Sequence, residues 1–509
     1  MSEEATAGSI LESTARGTGW IIGWRFTTRL LGMINTLILV RLLAPGDFGL
    51  VALGTSFAQA VETLGYIGLQ DSLVREKTAT RALYDTAFTL GLLRSLVTGV
   101  VVAALASPAG RFFGEPRLAA ITLALAAGIL MDGFSNVGAV DFRREFAFQK
   151  EFVLWVIPRV ASISLSIAVA LTWRSYWALV VGILSQRILR VLLSYTLHPY
   201  RARLHIGAWR GMVGYSTWAW VLALMSIVRD RTATIVIGRM LGPTAVGLFS
   251  LGFELSSLPT TELVEPLGRA AFSGFSTTRN QGLDGGDAFV RMVASMALIT
   301  IPAGIGMALI ADPVVRLAFG PLWVAAVPLV QMLGICGALT VFGSLSSVLF
   351  RVYGRQRLVF RVSSIVEVVR VALLVVLTRR YGLMGAGFAT AVAFGIEQLY
   401  FLYLARSQFA IPVAKLAARL WRTALAASCM VGVLFASGLV AALPAGASNV
   451  ALGLRAFSAA ALGAACYAAA LLLLWLASGR PEGGEIDMLT LIGRILRPRR
   501  LRGNAGGRA

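Results

Sequence analysis

Long apolar runs alternate with short polar turns from one end of this chain to the other. The runs lie near 18–43, 48–70, 83–107, 117–140, 151–172, 174–197, 213–240, 244–272, 289–311, 322–350, 358–378, 382–405, 419–442 and 452–477. A helix rises 1.5 Å per residue, so about 20 apolar residues cross a hydrocarbon core of ~30 Å. Runs of this length, bounded by Gly, Pro and charged turns, predict transmembrane helices. The pattern predicts an all-α polytopic membrane protein of about fourteen transmembrane helices. Composition agrees: 57% of the 509 residues are apolar, 14% are charged and the mean hydropathy is +0.76. A soluble chain carries nearer a quarter charged residues.

Two stretches of the pattern are copies. VRLLAPGDFGL starts at Val40 and GRMLGPTAVGL at Gly238, offset by 198 residues without a gap. Arg41 falls on Arg239, Leu43 on Leu241, Pro45 on Pro243, Gly49 on Gly247 and Leu50 on Leu248. Leu53 and Gly54 match Leu251 and Gly252, giving seven identities in fifteen positions. Each copy is the turn of a helical hairpin between two apolar runs. Six runs separate the copies, and an even number keeps them in one orientation. The repeats are therefore expected to be parallel, related by a pseudo-two-fold axis along the membrane normal. The last pair of runs has no counterpart and reads as an addition.

Lys and Arg set the expected orientation. Alternate loops divide these residues sixteen against eight before the tails, and seven arginines of the C-terminal tail join the richer set. Both termini are then cytoplasmic and the external loops are short. The expected organisation is a cytoplasmic N-terminal segment (1–17), an N-lobe of six helices (18–197), a basic cytoplasmic linker (198–212) and a C-lobe of six helices (213–405). An extra helix pair (406–477) and a basic tail (478–509) follow. Within the tail, IDMLTLIGRILRPRRLR from Ile486 has helical apolar spacing and then a basic cluster, as in an interfacial helix on an anionic leaflet.

Charge inside the runs carries the functional expectation. Arg25 and Arg29 lie one helical turn apart and share a face. With Trp20 at the interface, Arg29 sits roughly halfway across a ~30 Å core. Arg229 and Arg231 lie at similar depth in the repeat-related run, flanking Asp230. An arginine at the bilayer centre costs ~2.5–3.5 kcal/mol, so such residues face a wet cavity or a partner. Cations on two symmetry-related helices predict an anionic ligand, best a pyrophosphate, which Arg grips with two hydrogen bonds. Two structural alternatives stand beside this: a pair between Asp230 and a neighbouring Arg, and Arg25 snorkelling to the inner surface. Asp230, Glu62, Glu254 and Glu397 are the candidates for coupling or gating. Arg94, Asp132, Arg159, Glu262, Glu265 and Arg455 also fall inside runs and read as structural partners. Glu367 and Arg370, three apart, are expected to satisfy each other. Arg187 and Arg190 are expected to snorkel.

Other chemistry is excluded. No GxSxG, P-loop or acid-bearing external loop marks an enzyme. Cys336, Cys429 and Cys466 sit in apolar runs and read as core residues, with no disulfide or metal spacing. His198 and His205 share a basic loop without Cys, Asp or Glu ligands. No metal and no cofactor are expected. The net charge of +21 is spread over many short loops with no aromatic platform, so it reads as positive-inside excess, not nucleic-acid binding. The opening MSEEATAGSILES is acidic and lacks a basic n-region, so no cleavable signal peptide is expected there.

Two segments resemble a known family. Val40 to Lys77, followed by DTAFTLGLL from Asp85, resembles the opening of polysaccharide transporters of the Wzx/colanic-acid-exporter type. Arg229 to Pro259 resembles the start of that family's second lobe. The likeness spans about residues 15–400 and is strongest at the two turns. The superfamily also holds MATE multidrug exporters and lipid II flippases. The resemblance implies two six-helix lobes rocking around a cationic cavity, with an oligosaccharide on undecaprenyl pyrophosphate as cargo. It matches the family's seventh-helix Asp, shortly before IGR, to Asp230. Arg25, Arg29, Arg229 and Arg231 rest on depth, not on a family motif. The expected protein is a multi-pass flippase of the bacterial inner membrane for lipid-linked exopolysaccharide, capsule or O-antigen (lipopolysaccharide) units. It is expected to be monomeric, embedded in membrane lipids, with a polysaccharide polymerase and chain-length machinery as partners. Its rivals are a MATE-like drug or cation exporter, a lipid II flippase, and a membrane polymerase or ligase.

Overall fold

The computed structural model describes residues 2–65, 73, 80–145, 147–207, 209, 216–283, 285–441, 443–444, 446–481 and 484–486. The proposed interfacial helix after Ile486 lies outside the described residues. The described residues contain helices and turns and no strand. In order they are α1 (Ser2–Leu42), α2 (Pro45–Leu64), α3 (Arg81–Phe113), α4 (Arg117–Asp132), α5 (Asp141–Arg144), α6 (Phe148–Trp173), α7 (Trp177–Leu197) and α8 (Ser216–Leu241). Then come α9 (Pro243–Asn280), α10 (Gly285–Leu309), α11 (Ala311–Ala318), α12 (Val327–Ala338), α13 (Thr340–Val352), α14 (Gln356–Phe409), α15 (Val413–Ala436) and α16 (Asn449–Ala477). Short 3-10 segments lie at Val137–Val140 and Pro321–Ala326.

Seven helical segments among the described residues are long and apolar enough to cross a membrane, and a bent pair adds an eighth. Their outward faces carry large apolar side chains: Val97 is 55% exposed and Leu473 66% exposed. Apolar surface on this scale needs a nonpolar surrounding, and the lipid of a bilayer supplies it. The protein is a multi-pass, all-helical membrane protein. Fourteen crossings remain the expectation from sequence.

Two apolar runs are broken where sequence predicted single spans. The run 117–140 ends as a helix at Asp132 and turns by 76° into the 137–144 segment. Asn136 holds the bend: its side chain accepts from Gly138 N at 2.9 Å and donates to the carbonyls of Ser194, His198 and Tyr200. The run 322–350 is a 3-10 turn followed by α12 and α13, with a break at Leu339. The break expected between 378 and 382 lies at Gly382, whose φ of 59° and ψ of −139° interrupt α14. That backbone conformation strains any residue with a Cβ. Cys336 is half-buried and donates to Ala391 O at 3.7 Å, but Cys429 lies on an exposed helix face and not in the core.

The chain divides into two compact units. The first is Met1–Ser250 with Ala318–Leu322, and it contains both copies of the repeated turn. In it α1 packs on α6, α6 on α7, α3 on α4, and α2 on both α4 and α8. The second unit is Leu251–Leu317 with Trp323–Ala509. Its core gathers Phe275, Phe289, Val293, Leu345, Phe350 and Phe401 from α9, α10, α13 and α14. The α15–α16 pair packs on α10, where the Tyr467 hydroxyl donates to Leu298 O at 2.9 Å.

Candidate functional site

The two copied turns meet each other inside the first unit. A Cβ built on Gly49 would collide with the Pro243 carbonyl and Gly247 N, and one on Gly247 would collide with the Pro45 carbonyl and Gly49 N. Gly49 and Gly247 are repeat partners, as are Pro45 and Pro243. The contact from 49 to 243 is thus repeated by the contact from 247 to 45, as two-fold relation demands. Only glycine lets the backbones approach this closely. The matched arginines extend the contact outwards. Arg41 Nε donates to Ala318 O at 3.3 Å, and its side chain lies against Gly320. Arg239 sits over the Phe112 ring, 5.4 Å from its centroid. Each arginine therefore reaches the Phe-Gly turn belonging to the other half of the repeat.

The cations singled out from sequence lie on α1 and α8. Trp24 stacks on Trp155 at 5.6 Å and Trp20 meets Phe152 edge-on at 5.5 Å, which fixes α1 on α6. Arg25 is exposed, its guanidinium 5.7 Å from the Trp24 ring centre. Arg29 is exposed one turn further on. On α8, which packs on α2, Arg229 pairs with Asp230 at 3.1 Å, and both are more than half exposed. Arg231 is half-buried and has no hydrogen bond or ion pair among the described residues. One further cation joins this set. Arg159 of α6 donates to Gln186 Oε1 at 3.1 Å, and its guanidinium occupies the space a side chain at Gly32 would need. Positions 25, 29 and 32 share one face of α1. Arg159 thus brings a third guanidinium, without a carboxylate partner, to the Arg25–Arg29 face.

Glu62, Asp132, Arg187 and Arg190 of the first unit form a closed network. Glu62 accepts two hydrogen bonds from Arg187, at 3.1 and 3.2 Å. Asp132 accepts from Arg187 and Arg190, each at 2.7 Å. Arg190 also lies 5.1 Å from the Trp155 ring centre. Arg187 and Arg190 therefore do not snorkel: acids on α2 and α4 hold them inside the helix bundle. Glu254 is exposed, Glu397 accepts from Ser363 at 3.4 Å, and Glu367 pairs with Arg370 at 2.6 Å as their spacing predicts. Arg187→Ala is expected to cost roughly 3–5 kcal/mol by leaving Glu62 without its counter-charge. Adding Glu62→Gln should return much of that stability in detergent unfolding. Equal instability of the single and double variants would show that the pair is not the cause.

The sequence profile of the family described as "Polysaccharide biosynthesis protein" matches residues 38–328, across both copied turns. This chain belongs to that family. It is similar to the lipopolysaccharide biosynthesis protein WzxC of Escherichia coli (strain K12), 22% identical over 347 residues, with 66% of this chain and 69% of that protein covered. It is also similar to the succinoglycan biosynthesis transport protein ExoT of Rhizobium meliloti (strain 1021), 21% identical over 333 residues, covering 64% and 66%. Among solved structures, the lipid II flippase MurJ in an inward closed conformation superposes with a TM-score of 0.71 at 13% identity. That match covers 91% of this chain and 99% of MurJ, and it concerns the fold.

Sequence reading of this family member passed over two features that the geometry brings forward. Nothing local in the sequence distinguishes Arg159 from the structural charges; only the packing of α6 on Gly32 brings it to the face that carries Arg29. The receiving turns of the arginine clasp did have a signal. Arg111 and Arg316 each precede a Phe-Gly pair and then a proline: Phe113, Gly114 and Pro116, against Phe319, Gly320 and Pro321.

Proposed function

We propose that this chain is an inner-membrane flippase that moves oligosaccharide repeat units on undecaprenyl pyrophosphate for exopolysaccharide, capsule or O-antigen synthesis. Membership of the polysaccharide biosynthesis family carries this reading, supported by relatives named for lipopolysaccharide and succinoglycan synthesis. The helical fold it shares with a lipid II flippase agrees. In this reading residues 18–197 and 213–405 rock against each other, and the Gly49–Gly247 contact acts as the external gate that closes and opens with them. Arg29, Arg25, Arg159 and Arg231 face the pyrophosphate, with Arg229 released from Asp230 when cargo binds. Asp230, Glu62, Glu254 and Glu397 are the acids available for coupling or gating. A cation exporter of the same fold would need acids in their place, because bringing a cation beside several guanidinium groups is unfavourable.

Proteoliposomes holding the purified chain and a lipid-linked oligosaccharide test it. The labelled lipid should reach the opposite leaflet faster than in protein-free vesicles. Equal rates would remove the proposal. Orientation has a separate test. In cells, cysteines placed at Arg201 and at the C-terminus should resist an impermeant external thiol reagent, while one at Thr244 reacts. The reverse pattern would place the termini outside.

A further inference from the structure

The first unit holds an open cavity of about 330 Å³ lined by α3, α4, α6 and α7, with no α1 or α8 cation in its lining. At roughly 30 Å³ per water it holds about ten waters, and it falls at the lower end of small-molecule sites, ~300–1,000 Å³. Its charged lining is Arg94, Arg143, Arg190, Asp132 and Glu151. Four of these cancel. Arg143 pairs with Glu151 at 2.7 Å and Arg190 with Asp132 at 2.7 Å. Arg94 is left over, with no ion pair, hydrogen bond or ring contact among the described residues. It lies thirteen residues into α3 from Arg81, roughly 20 Å along the helix axis. An unneutralised guanidinium at that depth is unfavourable, so it calls for an anion or water in the cavity.

The neighbouring groups fit an oxyanion. Ser95 lines the same cavity, is 3% exposed, and its hydroxyl has no partner among the described residues. Ser135 lines it too and is likewise unpartnered among them. One guanidinium and two free hydroxyls are donors aimed at acceptor-only oxygens. Leu73, Phe88, Val137, Val140 and Leu154 give the cavity apolar walls, and the polar Asn136 and Ser194 also line it but are engaged with each other. Arg143 is 46% exposed at its side chain.

We propose that this cavity binds a singly charged phosphate group through Arg94, Ser95 and Ser135. The phosphodiester of an anionic phospholipid and free inorganic phosphate share that chemistry. The site does not depend on the flippase reading: it sits inside one unit, and its occupant need not be cargo.

The test uses the purified full chain. After delipidation, phosphatidylglycerol or phosphatidylcholine is added and retained lipid is counted by native mass spectrometry. Separately, inorganic phosphate is titrated against the thermal midpoint in phosphatidylcholine nanodiscs. The wild-type chain should retain one phosphatidylglycerol in preference to phosphatidylcholine, or be stabilised by phosphate. The first result assigns a lipid source and the second a soluble one. Arg94→Gln should weaken whichever effect is seen at least tenfold, and Arg94→Lys should keep part of it. If Arg94→Gln does not fold, Ser95→Ala with Ser135→Ala takes its place and should weaken the same effect. Binding by these variants equal to wild type, or no binding of either probe by wild type, overturns the site.

Discussion

A disulfide between cysteines at positions 46 and 244 should stop polymer export, and reduction should restore it. A Cβ at Gly46 would lie 3.2 Å from Thr244 Oγ1, so the two positions are close enough for an unstrained bridge. They are repeat partners in the contact made by Gly49 and Gly247. Transport by alternating access needs this contact to open once per cycle, and a covalent bridge prevents it. The distribution of Lys and Arg predicts an external position for the turns, where oxidising conditions let the bond form. In a background lacking Cys336, Cys429 and Cys466, Gly46→Cys with Thr244→Cys should export normally under reductant and fall to background when oxidised. Quantitative crosslinking with undiminished export would exclude these turns as a gate. Gly49→Leu should fail for the opposite reason. Its side chain occupies the space of the Pro243 carbonyl, so the turns cannot close. Labelling of a cysteine at Thr244 should then rise even as export falls.

Removing the cations on both repeats is the second large effect. Arg29→Ala with Arg231→Ala should abolish export while the protein remains in the membrane at its normal level. A pyrophosphate diester carries about two negative charges, and burying them unpaired is prohibitive. Two guanidinium groups neutralise it with charge-assisted hydrogen bonds. In the proposed site the empty carrier is then more positive than the loaded one by about two charges. An inside-negative potential acts on each charge by ~2.3 kcal/mol per 100 mV for a full crossing, so it favours return of the empty, positive state to the inward side. Arg29→Lys should keep part of the activity, since it keeps the charge and loses the two-point grip. Arg159→Gln should weaken export in the same direction, which would separate a ligand from a packing residue if Arg159→Lys restores it. Wild-type export by the double alanine variant would remove these residues from the site.

The sequence by itself determined the class of the protein. Apolar run length is a local property, and a bilayer selects on it directly, so the helical membrane fold was legible without any contact. The duplicated turn was legible for a related reason: proline and glycine positions survive in the string wherever the backbone needs them. Ion pairs were legible only at helical spacing. Glu367 and Arg370 are three residues apart, and a helix places them together whatever surrounds it. Tertiary structure decided the rest. Glu62 and Arg187 are 125 positions apart, and whether Arg187 snorkels or pairs depends on which helix packs beside it. Arg159 reaches Arg29's face only because α6 crosses α1 at a residue with no side chain. Gly49 and Gly247 are visible as a match in the sequence, but their contact is not. Periodicity reaches only a few residues along one helix, while these partners are joined by the packing of different helices.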